Sequence, residues 1–337
     1  MKVAILLSKS TSIDITPEEL TAEWQKISAI DGVEFLFLPY DRRPTGREVD
    51  ERVPTDTEAL FGVWIQEEYL HEDFFARHPK LRYVATLAHG YGEIDFEMTR
   101  RRGVTVTNTA YGDTTIAEYA FALLLALCHR VELHSEHVKN TRWWEPGAPK
   151  YMYSLTPRIE LHGKTFGILG LGKIGLCAAR IARGFGMKVI SHSLYVQEGP
   201  AFQDIAQVSL DELCARSDVL SVHAPLTAQT RGMLNRAAFA AMRDGVLLLN
   251  TARGQLICEP DLIEALKSGK VGGAGLDVLC EEPPTGPNEL LTFPNVLITG
   301  HIAWLPKTSR MRQVSLAIDN FRAYLAGRPV SVVNGPF

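Results

Sequence analysis

Thr165-Phe-Gly-Ile-Leu-Gly-Leu-Gly-Lys-Ile-Gly175 runs from an apolar pentapeptide into three glycines spaced G-x-G-x-x-G. The spacing alone is common. Here 165–169 reads as a buried strand directly before the glycines, and 174–185 reads as a helix directly after them. That is the context a dinucleotide-binding turn requires. Gly170 permits the tight turn, Gly172 lets a pyrophosphate approach the backbone, and Gly175 lets helix and strand pack closely. The phosphates would meet unpaired N–H groups at the positive end of the helix. A plain glycine-rich turn is the competing reading.

Downstream the alternation continues, with strands expected at 188–192, 218–223, 245–250, 271–277 and 296–299. Helices lie between most of them. Ser209 with Glu212 reads as a capping box, and Pro260 falls in a first helical turn. A last helix spans 307–326 and stops at Gly327. The second strand of such a unit normally ends in an acid that binds the adenosine ribose. Ser193 stands there, 18 residues past Gly175. A serine does not repel a 2′-phosphate, and His192 and Ser193 offer donors to it. No Arg or Lys follows before Arg216. The cofactor expected is NADP or NAD, leaning to NADP.

Upstream, strands are expected at 3–7, 33–38, 60–65, 81–87 and 104–107. Thr16-Pro-Glu-Glu19 opens a helix with a capping box. A long buried helix is expected from 113 or 114 to about 137, followed by a turn-rich loop at 143–149. Strand and helix alternate in both halves, which predicts the α/β class with two doubly wound parallel sheets.

The chain has 337 residues, enough for two domains of about 150. Apolar residues make up 46% and charged residues 22%, the balance of a globular protein. The net charge of -4 argues against a nucleic-acid partner. Five scattered cysteines without a CxxC argue against a disulfide framework and a metal site. The opening strand is too short for a signal peptide, and the run 121–128 is too short to span a bilayer. A soluble, reducing, cytoplasmic setting with no membrane partner is the expectation.

Three polar motifs end later strands: Asn250-Thr-Ala-Arg253-Gly254, Asp277-Val-Leu-Cys-Glu281-Glu282-Pro283 and His301-Ile-Ala-Trp304. Carboxyl ends of strands face the ligand crevice of a doubly wound sheet. An Arg holds a carboxylate by two parallel bonds, a His passes a proton near neutrality, and an acid beside it fixes its tautomer. Taken singly, Arg253 would be a loop salt bridge, His301 a satisfied loop histidine, and Glu281-Glu282 a solvated pair. Ala88-His-Gly-Tyr-Gly92 follows an earlier strand. Its small residues could turn N–H groups toward an anion, or simply make a turn.

These residues resemble the D-isomer-specific 2-hydroxyacid dehydrogenase family over nearly the whole chain. The likeness is carried by 88–95, Thr107-Asn-Thr109 with Ala117-Glu118, 161–175, and His223-Ala-Pro-Leu-Thr227 with Thr230. It is also carried by 250–254, Gly275-Leu-Asp-Val278 with Glu282-Pro283, and His301-Ile-Ala303. The ending His-Ile-Ala-Trp is similar to the glycerate dehydrogenase and hydroxypyruvate reductase branch. The resemblance implies two Rossmann-like domains with a cleft between them. A discontinuous, flavodoxin-like substrate domain would comprise 1–108 and 305–337, and a dinucleotide-binding domain 109–304. It further implies reversible hydride transfer between NAD(P)H and the second carbon of a 2-keto acid, giving the D-2-hydroxy acid.

Arg253 would hold carboxylate and carbonyl, and His301 with Glu282 would be the acid/base pair. Backbone amides of His89 and Gly90 would take the carboxylate, with Tyr91, Trp304 and Trp64 as pocket walls. Cofactor contacts would come from Gly170, Gly172, Lys173, Ile174, Gly175, Ser193, His223, Ala224, Pro225, Thr230, Thr251, Ala252 and Asp277. A homodimer through the coenzyme domain is implied too. His89 departs from the family's usual small apolar residue, and Gly92 from its frequent Asp. A dinucleotide-sensing protein of the corepressor type is the alternative function. A formate dehydrogenase is a more distant one, having no need of a His-Glu pair.

Overall fold

The computed structural model describes residues 1–8, 14–63, 65–91, 94–141, 145–147 and 153–335. Trp64 and Gly92 lie outside them. The chain divides into two compact units, one of Met1–Gly112 with Trp304–Phe337, the other Asp113–Ala303. The first boundary falls four residues after the expected 108, and the second one residue before the expected 304. The first shift has a local cause. Gly112 donates its N–H to His89 Nε2 at 2.7 Å, and the Tyr111 ring lies 5.0 Å from that of His89. Residues 109–112 are thereby tied to the first unit.

In the first unit, β1 (Lys2–Ser8), α1 (Pro17–Gln25), β2 (Glu34–Tyr40), α2 (Gly46–Arg52) and β3 (Ala59–Gly62) alternate. They are followed by α3 (Glu72–Arg77), β4 (Tyr83–Thr86), α4 (Phe96–Arg101) and β5 (Thr105–Asn108). The capping box at Thr16 forms with Glu19, and a second one joins Thr45 to Glu48. The sheet order is β2-β1-β3-β4-β5, and every pairing is parallel. Strands β3 and β4 are buried throughout, as parallel strands covered on both faces must be.

The second unit opens with α5 (Asp113–His129) and α6 (Val131–Asn140) where one helix to 137 was expected. Arg130 breaks it, with a left-handed φ of 47°. Its guanidinium donates to the Pro294 carbonyl at 2.7 Å. Then follow β6 (Thr165–Leu169), α7 (Lys173–Gly184), β7 (Lys188–His192), β8 (Ala206–Gln207) and α8 (Leu210–Arg216). Next come β9 (Val219–Val222), α9 (Arg236–Ala241), β10 (Val246–Asn250), α10 (Glu259–Lys267), β11 (Val271–Leu276) and β12 (Val296–Ile298). Ser209 caps α8 by accepting the Glu212 N–H, but the Glu212 carboxylate pairs with Arg216 instead of closing a box. The all-parallel sheet runs β12-β11-β10-β9-β6-β7-β8. Strand order reverses between β6 and β9, which fixes a switch point at their carboxyl ends.

Helix α11 (Lys307–Leu325) returns to the first unit. Its Phe321 is fully buried, 5.3 Å from Phe61, which also meets Trp24 of α1 at 5.6 Å. The other face of that sheet buries Val49, Phe74 and Met98 from α2, α3 and α4. In the second unit α5 and α7 cover one face, and α8, α9 and α10 the other. Both units are therefore doubly wound.

Candidate active site

The glycine turn occupies the switch point. Gly170 has φ +99°, and a Cβ there would lie 2.4 Å from the Ala224 nitrogen, so β6 and β9 end in contact. A Cβ on Gly175 would fall 2.4 Å from the Gly170 carbonyl oxygen. Gly172 caps α7 without a side chain, and a Cβ there would meet nothing within 4 Å. Open space thus lies before a helix end whose first N–H groups have no intrahelical partner. Lys173 is exposed and Ile174 half-buried beside it. Thr251 Oγ1 is buried without a hydrogen-bond partner among the described residues. These features fit a dinucleotide with its pyrophosphate over Gly172.

Other expected cofactor residues hold the frame. Ser193 Oγ accepts the Leu171 N–H at 2.8 Å, which ties the end of β7 to the glycine turn. Its own proton remains for a ligand. His192 Nδ1 faces the Val208 carbonyl at 2.9 Å, so the ring proton sits on Nδ1. A neutral His192 therefore offers Nε2 as an acceptor, and only the protonated ring donates from it. Thr230 Oγ1 donates to the Pro225 carbonyl at 2.7 Å and closes the turn after His223 and Ala224. Burial pushes the His223 imidazole down to about 4, and Ser221 Oγ lies 2.9 Å from its Nε2.

The three polar motifs stand at the ends of neighbouring strands β10, β11 and β12. Asn250 Oδ1 accepts the Ala252 N–H at 2.9 Å and its Nδ2 donates to the Arg253 carbonyl at 2.9 Å. A Cβ on Gly254 would fall 2.0 Å from the Leu279 carbonyl carbon, so this turn lies directly against 279–280. Glu282 takes the Leu279 N–H on Oε1 at 2.8 Å, and its Oε2 lies 2.7 Å from His301 Nδ1. Burial alone would raise the Glu282 carboxyl. The His301 hydrogen bond and charge, the Leu279 amide and the Arg253 guanidinium outweigh it and hold the group below its ordinary value. The carboxylate only accepts, so a proton sits on His301 Nδ1.

Asp277, expected at the nicotinamide, is 1% exposed and accepts three bonds from the loop that carries His301. Its Oδ1 accepts the Thr299 hydroxyl at 2.6 Å and the Ile302 N–H at 2.9 Å, and Oδ2 accepts the Ala303 N–H at 2.9 Å. His301 itself has φ 58°, and its N–H donates to the Asp277 carbonyl at 2.8 Å. The supporting bonds of Asp277 and Asn250 were not read from the sequence. An asparagine two residues before a bonded amide is an Asx-turn signal, which was present in Asn250-Thr-Ala. The Asp277 pattern depends on tertiary contacts and left no local signal.

His89, Gly90, Tyr91 and Trp304 belong to the first unit. Tyr91 is exposed, with its ring 5.8 Å from Phe96, and Trp304 is buried. No group of metal-ligating residues occurs among the described residues, and no helix there is long and apolar enough to cross a membrane.

Residues 121–303 match the family model of the D-isomer specific 2-hydroxyacid dehydrogenase NAD binding domain. A hydroxypyruvate reductase of Blautia hydrogenotrophica is 41% identical over 273 residues, 81% of this chain and 84% of that protein. The structure of an NADPH-dependent glyoxylate/hydroxypyruvate reductase of Sinorhizobium meliloti, in complex with NADP and malonate, superposes with a TM-score of 0.80. It is 27% identical, with 100% of this chain and 98% of that one covered. A D-lactate dehydrogenase of Aquifex aeolicus, complexed with NAD and lactic acid, gives 0.77 at 27% identity, covering 99% of this chain and 100% of that one. A glycine turn at the switch point, an Arg beside a His-Glu pair on adjacent strand ends, and a family match over more than half the chain converge: this chain belongs to the D-isomer specific 2-hydroxyacid dehydrogenase family.

Proposed function

We propose that the chain reduces a 2-keto acid to the D-2-hydroxy acid with Arg253, Glu282 and His301 as its catalytic residues. The observation that carries this is the 2.7 Å Glu282–His301 pair, with the Arg253 charge acting on the same carboxylate. The bound nicotinamide dinucleotide supplies the hydride to the keto carbon. Arg253 holds the substrate carboxylate in a planar fork and stabilises charge on the carbonyl oxygen. Protonated His301 gives the Nε2 proton to that oxygen as the alkoxide develops. Glu282 keeps the other ring proton on Nδ1 and fixes the orientation of the ring. The reverse direction uses neutral His301 as the base. His89 and Gly90 are assigned to the carboxylate by their amides, and Tyr91 and Trp304 to the substrate side chain. A panel of 2-keto acids with NADH and NADPH, followed by nicotinamide absorbance, tests the reading. Turnover of at least one acid is expected, and none with either cofactor would sink it in favour of a dinucleotide-sensing role.

NADPH is the proposed preferred cofactor. Ser193 carries no charge to repel a 2′-phosphate, and its hydroxyl proton is left to donate while the oxygen holds Leu171. A homodimer through the second unit and a cytoplasmic location belong to the same proposal. Helix α6 has no buried residue, and Val131 and Leu133 on it are 64% and 37% exposed. Exposed apolar side chains on this helix favour a protein partner. Light scattering should return twice the 37.4 kDa chain mass. Fractionation of the source cell should find the protein in the soluble interior.

A further inference from the structure

The loop after β4 carries a hydrogen-bond pattern that the assignments above leave unused. Gly112 donates its backbone N–H to His89 Nε2 at 2.7 Å. A backbone N–H only donates, so this nitrogen bears no proton and the imidazole is neutral with its proton on Nδ1. Gly112 is buried, so water cannot replace the acceptor. The same segment is held from other sides. Asn108 Nδ2 donates to the His89 carbonyl at 3.1 Å. From α11, Arg312 donates to the Tyr111 carbonyl at 2.8 Å, Asn320 to the Asn108 carbonyl at 2.9 Å, and Gln313 to the Leu87 carbonyl. The imidazole is one strut in a frame that surrounds 87–91.

We propose that His89 is a positioning residue for the substrate carboxylate, acting through the acceptor it offers to Gly112 and not by a side-chain contact with substrate. This rests on the reading that the amides of His89 and Gly90 take that carboxylate. Without an acceptor at the reach of Nε2, a buried donor is left unpaired and the backbone at 89–90 loosens. Every 2-keto acid has the same carboxylate, so the loss falls equally on all of them. A side chain that touched the variable part of the substrate would discriminate among them instead.

The test compares His89→Phe, which keeps a ring and loses the acceptor, with His89→Gln, which keeps an acceptor oxygen. Both are measured with glyoxylate, which has no side chain, and with phenylpyruvate, which has a bulky one. His89→Phe should raise KM about tenfold by the same factor for both acids with kcat nearly unchanged, and His89→Gln should recover most of it. A KM change confined to phenylpyruvate, an unchanged KM, or a fall in kcat alone overturns the role. The ¹⁵N shifts of the wild-type imidazole give a second readout that needs no variant to fold. An Nδ1–H tautomer is expected, and an Nε2–H tautomer overturns the proposal. Wild-type protein that turns over no 2-keto acid overturns the underlying reading as well. Failure of the His89 role alone leaves wild-type turnover intact.

Discussion

Arg253 and His301 differ in what a substitution removes. Arg253→Lys keeps a positive charge but loses the fork, and a point charge cannot pair with both oxygens of a planar carboxylate. About 2–4 kcal/mol of transition-state stabilisation should disappear. A kcat/KM near that of wild type on the best keto acid would refute the role. His301→Gln should lower kcat by roughly 10²–10⁴ while the affinity for NADPH, read by its fluorescence, hardly changes. Glu282→Gln tests the pair differently. The amide it introduces can still reach His301 Nδ1, but the bond is no longer charge-assisted. kcat for keto-acid reduction should fall while the affinity for NADPH hardly changes. An unchanged kcat where chemistry limits turnover would mean that Glu282 is not the partner that matters. These three residues were legible because each is a reactive side chain at the end of an expected strand. Asp277 was legible as a strand-end acid, but its bonds to the loop that carries His301 were not. Its three bonds to the 299–303 loop exist only once that loop has turned back over β11.

Elements with a strong period emerged from the sequence nearly as they stand. Strand β6 and strand β7 have the expected bounds, because an apolar run bordered by Gly or Lys leaves little latitude. The two-residue strand β8 has no period to detect, and α5 and α6 were read as one helix because Arg130 is an ordinary helix former. Its left-handed φ is imposed by a tertiary bond to the Pro294 carbonyl. The proposed cofactor preference is tested at the end of β7. Ser193→Asp would place a carboxylate beside the site of a 2′-phosphate and should shift preference to NADH, chiefly by weakening NADPH. The measurement is kcat/KM for both cofactors in wild type and variant. Wild-type preference for NADH by tenfold or more, about 1.4 kcal/mol, would move the decision to ribose contacts elsewhere. The Leu171 N–H can still find an acceptor in aspartate, so the turn should survive the change.

At the scale of the molecule, two switch-point sheets in one chain were legible from alternation alone, but what each buries was not. The second unit holds a half-buried histidine at its own switch point. His223 has a folded value of about 4, below its ordinary value near 6.5, because burial disfavours the charged ring. Above pH 6.5 the ring is neutral whether the chain is folded or not, and its contribution to stability is fully present. Below that value the unfolded chain takes up a proton that the folded unit refuses, so stability falls progressively as pH drops from about 6.5 to 4. Each unit of displacement corresponds to roughly 1.4 kcal/mol. His223→Asn cannot titrate and should flatten this limb of the curve, at the cost of a lower plateau if the Ser221 hydroxyl loses its partner. Melting temperatures of wild type and variant between pH 4 and 8 decide the matter, read by a probe of the second unit such as bound NADPH fluorescence. Parallel acid limbs in the two proteins would assign the loss to other groups, with the Glu282 carboxylate the first to be examined because its own folded value is also depressed.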